Sequence, residues 1–103
     1  MKEDLLEIIE NYGVIHQLKK FNEESYELIE AIRDYQEDYE KVKGVEDCIN
    51  KYFKDNILEE FADVCVVLEQ FKAYYDLDNE KIIETMKYKI ERQIKRMGNE
   101  NIK

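Results

Sequence analysis

Two pairs of carboxylates, each spaced three residues apart, are the part of this sequence best suited to chemistry. The first is Glu24 and Glu27, within Glu23-Glu24-Ser25-Tyr26-Glu27-Leu28. The second is Glu60 and Asp63, within Glu59-Glu60-Phe61-Ala62-Asp63-Val64. Both lie in segments with helical periodicity, where a spacing of three puts the side chains on one face, about one turn apart. Four carboxylates from two packed helices form an all-oxygen donor set for a hard divalent cation such as Mg²⁺, with Mn²⁺ as a substitute. Such a set suits phosphate chemistry.

The number of acidic pairs is not the argument. Asp and Glu supply 25 of 103 residues, so roughly six pairs at this spacing arise by chance, and most acidic faces are simply solvated. Context singles these two out. Asp63 sits in Phe61-Ala62-Asp63-Val64-Cys65-Val66-Val67-Leu68, a run that is apolar nearly all round a helix and is therefore expected to be buried on most sides. A carboxylate buried there without a partner costs several kcal/mol, so it needs a cation, a hydrogen-bond network or a raised pKa. Glu60 shares its face. Beside Glu24 and Glu27, Gln17 and Lys20 continue the same line on the preceding turns, so one helix face presents an amide, an ammonium and two carboxylates.

The elements that must position these groups are helices. With no Pro, three Gly and a wealth of Glu, Lys, Leu and Ile, the chain favours helix throughout. A first helix spans Lys2 to Asn11, and Gly13 ends it or marks a bend. A second runs from about Val14 to about Tyr39, with Val14, Leu18, Phe21, Ser25, Leu28, Ile32 and Tyr35 as its core stripe. Lys41 to Asp47 is the expected loop, centred on Gly44. A short helical stretch carrying Ile49, Tyr52 and Phe53 follows. Asp55 or Asn56 then caps the next helix, which runs to about Tyr75 with core positions Ile57, Phe61, Val64, Leu68 and Phe71. After a turn at Asp76 to Asn79, Asp78 or Asn79 caps a final basic helix, with Ile82, Ile83, Met86, Ile90, Ile94 and Met97 on its apolar side. Gly98 is expected to end order, leaving residues 97–103 as a frayed tail. The fold class is all-α, a four-to-five-helix bundle in one domain over residues 1–103.

Composition excludes several functions. A net charge of -9 argues against a nucleic-acid polymer as partner, because such binders need basic charge to displace counterions. A single nucleotide remains possible when metal bridges its phosphates to carboxylates. No apolar stretch reaches the ~18 residues of a membrane span, and no signal-peptide pattern opens the chain, so a cytoplasmic location is expected. Cys48 and Cys65 form no CxxC pattern and are expected as buried, reduced thiols. His16 is the sole histidine; a Ser-His-Asp triad has no evident partner motif, and a di-iron Glu-x-x-His pattern fails because Gly13 stands three residues before it. There is no Gly-rich phosphate loop.

Lys20-Phe21-Asn22-Glu23-Glu24-Ser25-Tyr26-Glu27-Leu28, followed by Glu59-Glu60-Phe61-Ala62-Asp63-Val64, resembles the MazG-like family of all-α nucleoside triphosphate pyrophosphohydrolases. Gly13-Val14-Ile15-His16-Gln17-Leu18 is similar to the family's lead-in, and the resemblance covers about Tyr12 to Arg96. It implies that Glu24, Glu27, Glu60 and Asp63 hold Mg²⁺, that water is activated to split the α–β phosphate bond, and that Glu23 is the candidate general base beside Glu24. It implies that Gln17, Lys20, Lys89 and Arg92 contact the substrate, and that the chain assembles as a homodimer or homotetramer. Lys20 can equally pair with Glu24 at the i, i+4 spacing, and Lys89 and Arg92 can be plain solvated cations. The sequence departs from the family at Lys87, where an Asn is common, which leaves base or ribose contacts from the last helix unassigned. The connection from Lys41 to Asn56 is longer than the family's minimum and suits a lid or an interface arm. Two other classes stay open: a non-catalytic acidic bundle that binds a partner protein, and a nucleotide-binding regulator without turnover.

Overall fold

A computed structural model describes residues 1–41 and 47–102, which form four helices and, among those residues, no strand: α1 (Lys2–Tyr12), α2 (Val14–Lys41), α3 (Asp47–Tyr74) and α4 (Asn79–Ile102). The all-α expectation therefore holds. No described helix is long and apolar enough to cross a membrane. The loop expected around Gly44 falls on residues 42–46, outside the described residues.

One residue separates α1 from α2. Gly13 adopts φ 89°, a conformation that L side chains rarely tolerate, and its N–H closes α1 on the Ile9 carbonyl at 2.8 Å. The chain thus turns without a loop. At the other end of α3, Asp76 takes φ 51° while the Leu77 N–H reaches back to the Lys72 carbonyl at 3.0 Å. Such a left-handed residue with a long return bond is a common way to stop a helix. Asp78 then opens α4 as foreseen: its Oδ1 accepts the Glu80 N–H at 2.9 Å and the Lys81 N–H at 3.4 Å.

Two boundaries differ from expectation. The short stretch at Tyr52 and the helix foreseen after Asp55 are one continuous helix, α3. Asp55 and Asn56 cannot cap because the turns before them are already helical, held there in part by the edge-on packing of Phe53 on Tyr35 at 6.2 Å. At the C terminus α4 passes through Gly98 to Ile102, so this glycine does not terminate the helix. Cys65 is a free, half-buried thiol; the Cys48 side chain lies outside those described.

α2 and α3 run antiparallel and make the main seam, with α1 laid along the C-terminal half of α3. Phe21 meets Phe71 edge-on at 6.5 Å. The seam is rotated from the expected stripe. Leu18 and Ile32 face outward, while Gln17, Glu24 and Ala31, seven residues apart, are the buried line of α2. On α3 the buried positions are Val67 and Gln70, and Phe61 and Leu68 remain 56% and 48% exposed. The expectation that the Phe61–Leu68 run is buried on most sides does not hold for the single chain.

Among the described residues, α4 packs against none of the other helices; a Lys72 Nζ to Asn79 Oδ1 hydrogen bond of 2.9 Å ties its first turn to α3. Its apolar side, including Ile83, Met86, Ile90 and Ile94, is open. The radius of gyration is 17.9 Å, against about 13 Å for a compact domain of this length.

Ile9 is the one large side chain fully buried among the described residues. Ile9→Ala is expected to lower the unfolding free energy by about 2–5 kcal/mol, as for other large-to-small core changes. Urea denaturation measures it, and a loss below about 1 kcal/mol would show that α1 is not an integral part of the core.

Candidate metal centre

The seam between α2 and α3 brings the two acidic pairs together. Glu24 and Glu27 stand on successive turns of α2, and Glu60 and Asp63 on successive turns of α3. One carboxylate oxygen from each lies within 4.8 Å of those of the other three. Residues 33 or more apart in sequence thus converge because the helices are antiparallel and the seam passes through Glu24 and Glu60.

Burial is uneven. Glu24 is buried and Glu60 half-buried, while Glu27 and Asp63 are exposed. The premise that Asp63 has no route to water is therefore corrected: its helix is not covered on that side, and Glu24 is the carboxylate held most firmly from solvent. One oxygen of each inner residue, Glu24 Oε2 and Glu60 Oε2, is buried with no hydrogen-bond partner. Buried carboxylate oxygens are almost always satisfied, so two orphans within one cluster leave room for a ligand.

The electrostatics agree with the geometry. Loss of solvation pushes the Glu60 carboxyl above the usual carboxylate range. The Glu27 carboxylate beside it raises it further, as do the charges of Asp63 and Glu24. Without a cation, repulsion within the cluster favours the protonated form of Glu60. One cation is already at hand: Lys20 Nζ pairs with Glu24 Oε1 at 2.9 Å. That bond, and the negative charges of Glu24, Glu23 and Glu27, hold the Lys20 ammonium above its ordinary pKa. The simple i, i+4 pairing is what this state contains. It occupies Glu24 Oε1 and leaves Oε2 for another partner.

The remaining sequence candidates are placed less centrally. Glu23 is exposed, one residue along α2 from Glu24 and outside the cluster. Lys89 and Arg92 are on α4, which does not approach the seam; Arg92 lies over the Tyr88 ring at 5.9 Å. Gln17 is buried and donates through Nε2 to Gln70 Oε1 at 2.7 Å. The role of Gln70 was missed. The signal was weak, a lone amide beside Glu69 just past an apolar stretch, legible only once α3 is set against α2 at the register of Gln17.

The donor set fits a hard cation such as Mg²⁺ or Mn²⁺: oxygen ligands only, four carboxylates, with Glu27 and Asp63 on the exposed side.

The raised Glu60 pKa has a definite sign. Folding favours its protonated form, so this contribution is full below the unfolded pKa and is lost as pH rises through the folded value. The metal-free melting temperature is expected to fall as pH climbs out of the carboxylate range, and Glu60→Gln should flatten that slope. Mg²⁺ should reverse the loss, by about 2.7 kcal/mol at a hundredfold excess over Kd. Melts across pH with chelator and with Mg²⁺ test both points; a slope that Glu60→Gln leaves intact would count against the assignment.

No protein-family model, curated protein or solved structure matches this chain.

Proposed function

We propose that the protein is a Mg²⁺-dependent nucleoside triphosphate pyrophosphohydrolase, releasing a nucleoside monophosphate and pyrophosphate. The observation that carries this reading is the pair of partnerless buried oxygens, Glu24 Oε2 and Glu60 Oε2, inside a cluster of four carboxylates. A merely solvated acidic face has no reason to bury them. The resemblance of the two acidic motifs, in order, to the MazG-like pattern suggests the reaction class.

Glu24, Glu27, Glu60 and Asp63 would hold the metal, and four carboxylates would balance the charge of up to two divalent ions. Bound Mg²⁺ supplies Lewis-acid stabilisation of phosphate oxygens and lowers the pKa of water. The protein's own groups do the rest. Lys20, already between Glu24 and solvent, exchanges its carboxylate partner for a phosphate oxygen and offsets developing charge. The attacking water forms a bond to the α-phosphorus as the bridging bond to the β-phosphate breaks, and its proton passes to Glu23 from the exposed side of α2. Gln17 contacts the nucleoside.

The functional unit is a homo-oligomer, a dimer or tetramer. Two features support it: the extended dimensions of the chain, and the uncovered apolar side of α4, where Ile90 is 57% and Ile94 60% exposed. A monomer should not leave a helix of 24 residues without packing, since a helix draws most of its stability from burying an apolar face. In an assembly, Lys89 and Arg92 of a neighbouring α4 can reach the phosphates that they do not reach in their own chain.

A panel of NTPs and dNTPs with Mg²⁺ or Mn²⁺, scored for pyrophosphate release, tests the activity. Asp63→Asn is exposed and should fold as before while turnover drops at least ~100-fold, the scale of losing a metal ligand or its neighbour. Turnover that survives Asp63→Asn, or no release from any triphosphate, would overturn the reading. Light scattering tests the assembly: wild type should exceed the monomer mass of 12.5 kDa, and Ile90→Asp should return it to monomer. A monomeric wild type would sink the oligomer.

A further inference from the structure

We infer that the Lys20 ammonium is a built-in counter-ion standing where a second divalent ion would bind, so that the cluster takes one ion while Lys20 holds Glu24 and two once Lys20 lets go. The inference deepens the hydrolase proposal by setting the number and order of its ions. It rests on that proposal only for what draws Lys20 away.

The two oxygens of Glu24 are not equivalent. Oε1 is paired with Lys20 Nζ at 2.9 Å, and Oε2 is buried without a hydrogen-bond partner. Across the seam Glu60 Oε2 is buried and partnerless as well. The unsatisfied oxygens are thus one from each helix, which is provision for one enclosed ion. A second ion needs Glu24 to use both its oxygens, as a carboxylate shared between two metals does. Lys20 holds one of them.

Charge leads to the same count. The four carboxylates and Lys20 together carry three negative charges. One divalent ion leaves a single negative charge. A second would make the site positive, with an ammonium and a dication on the same carboxylate. With Lys20 gone, two divalent ions bring the four carboxylates to neutrality. Like charges this close are costly where water is scarce, and Glu24 is buried.

Lys20 is free to move and Glu24 is not. The Lys20 side chain is 46% exposed, that of Glu24 9%. Lys20 also lines a cavity of about 300 Å³ beside His16 and Gln17, so its ammonium has space to swing into. A half-exposed i, i+4 pair stabilises little, and a phosphate oxygen offers Lys20 an equally strong charge-assisted bond. A polyphosphate that takes Lys20 therefore releases Glu24 Oε1. Polyphosphate and the second ion then favour each other beyond their direct contact, and the effect is reciprocal. Lys20 acts here through Glu24, as a positioning residue.

The test uses the full chain and Mn²⁺ alone. Equilibrium dialysis counts the bound ions, and electron paramagnetic resonance shows whether two are spin-coupled. Wild type should bind one Mn²⁺ per chain, with a second at least about tenfold weaker and no coupled spectrum. Lys20→Met keeps a long, helix-favouring side chain at an exposed position; it should bind two, with the coupled spectrum. Lys19→Met removes the same charge from the exposed neighbouring position and should behave as wild type. Should Lys20→Met fail to fold, wild type supplies a second readout. The ¹⁵Nζ signal of Lys20 should keep its bonded character through the first equivalent of Mg²⁺ and lose it only as a second ion binds.

Two equal ions in wild type, one ion in Lys20→Met, or the same gain in Lys19→Met would overturn the inference. No Mn²⁺ bound by any of the three proteins overturns it together with the metal centre. The expected counts without pyrophosphate release from any triphosphate keep the counter-ion role and defeat the hydrolase reading. Hydrolysis by a wild type that binds two ions equally before any phosphate arrives leaves the hydrolase standing and removes the counter-ion.

Discussion

The whole arrangement depends on a seam in which polar side chains are buried face to face. Gln17 and Glu24 on α2 oppose Gln70 and Glu60 on α3, and among the described residues the buried side chains include as many polar as apolar ones. A core of Ile9, Ala31 and Val67 with half-buried neighbours contributes limited hydrophobic stabilisation. What the polar groups do with one another is therefore decisive. At one end the two glutamines satisfy each other at 2.7 Å. At the other the carboxylates cannot, because each is an acceptor and each carries the same charge. The same helix pair thus contains a latch and, seven residues further along α2, a demand for cations. Neutral amides can stay in register on their own; the acidic end needs protons or metal to do so.

This seam explains which parts of the fold were legible from sequence. Helix content, the Gly13 break, the turn at Asp76 and the Asp78 cap follow from local chemistry, and local chemistry is what a sequence displays. The rotation of the seam does not. Periodicity placed Leu18 and Ile32 inward because they are apolar, yet the buried line runs through Gln17, Glu24 and Ala31. Apolar pattern cannot distinguish a face that meets its own chain from one that meets another copy, and this chain has apolar residues on both. The merged α3 has a similar cause: Asp55 and Asn56 look like caps, and only the packing of Phe53 on Tyr35 shows why the helix has already begun.

That the four carboxylates share one seam was legible, though partly for the wrong reason. Asp63 drew attention as a charge trapped in an apolar helix, but it is exposed in the single chain and Glu24 is the enclosed one. The spacing argument survived because it rests on helix geometry alone; the burial argument failed because it required knowing which side of α3 is covered. Gln70, two residues beyond that stretch and next to Glu69, was passed over. Its importance depends on the register between two helices, which no local pattern encodes.

Charge and hydrophobicity give the last constraint the same direction. The chain carries -9 overall, yet α4 holds six basic against four acidic side chains, so the rest of the chain is more acidic than the total suggests. In the single chain this least acidic, uncovered helix stands apart from the acidic seam. Association that brings one α4 against another chain's seam would cover the open side of Ile90 and Ile94 and also place Lys89 and Arg92 near like-charged carboxylates that repel one another. The hydrophobic gain is not screened by salt, whereas the electrostatic part weakens with ionic strength and with metal already bound. The two contributions are therefore separable in principle. Phosphates brought to the seam give those cations a second reason to be there, so substrate and subunit association would favour each other through the same basic side chains.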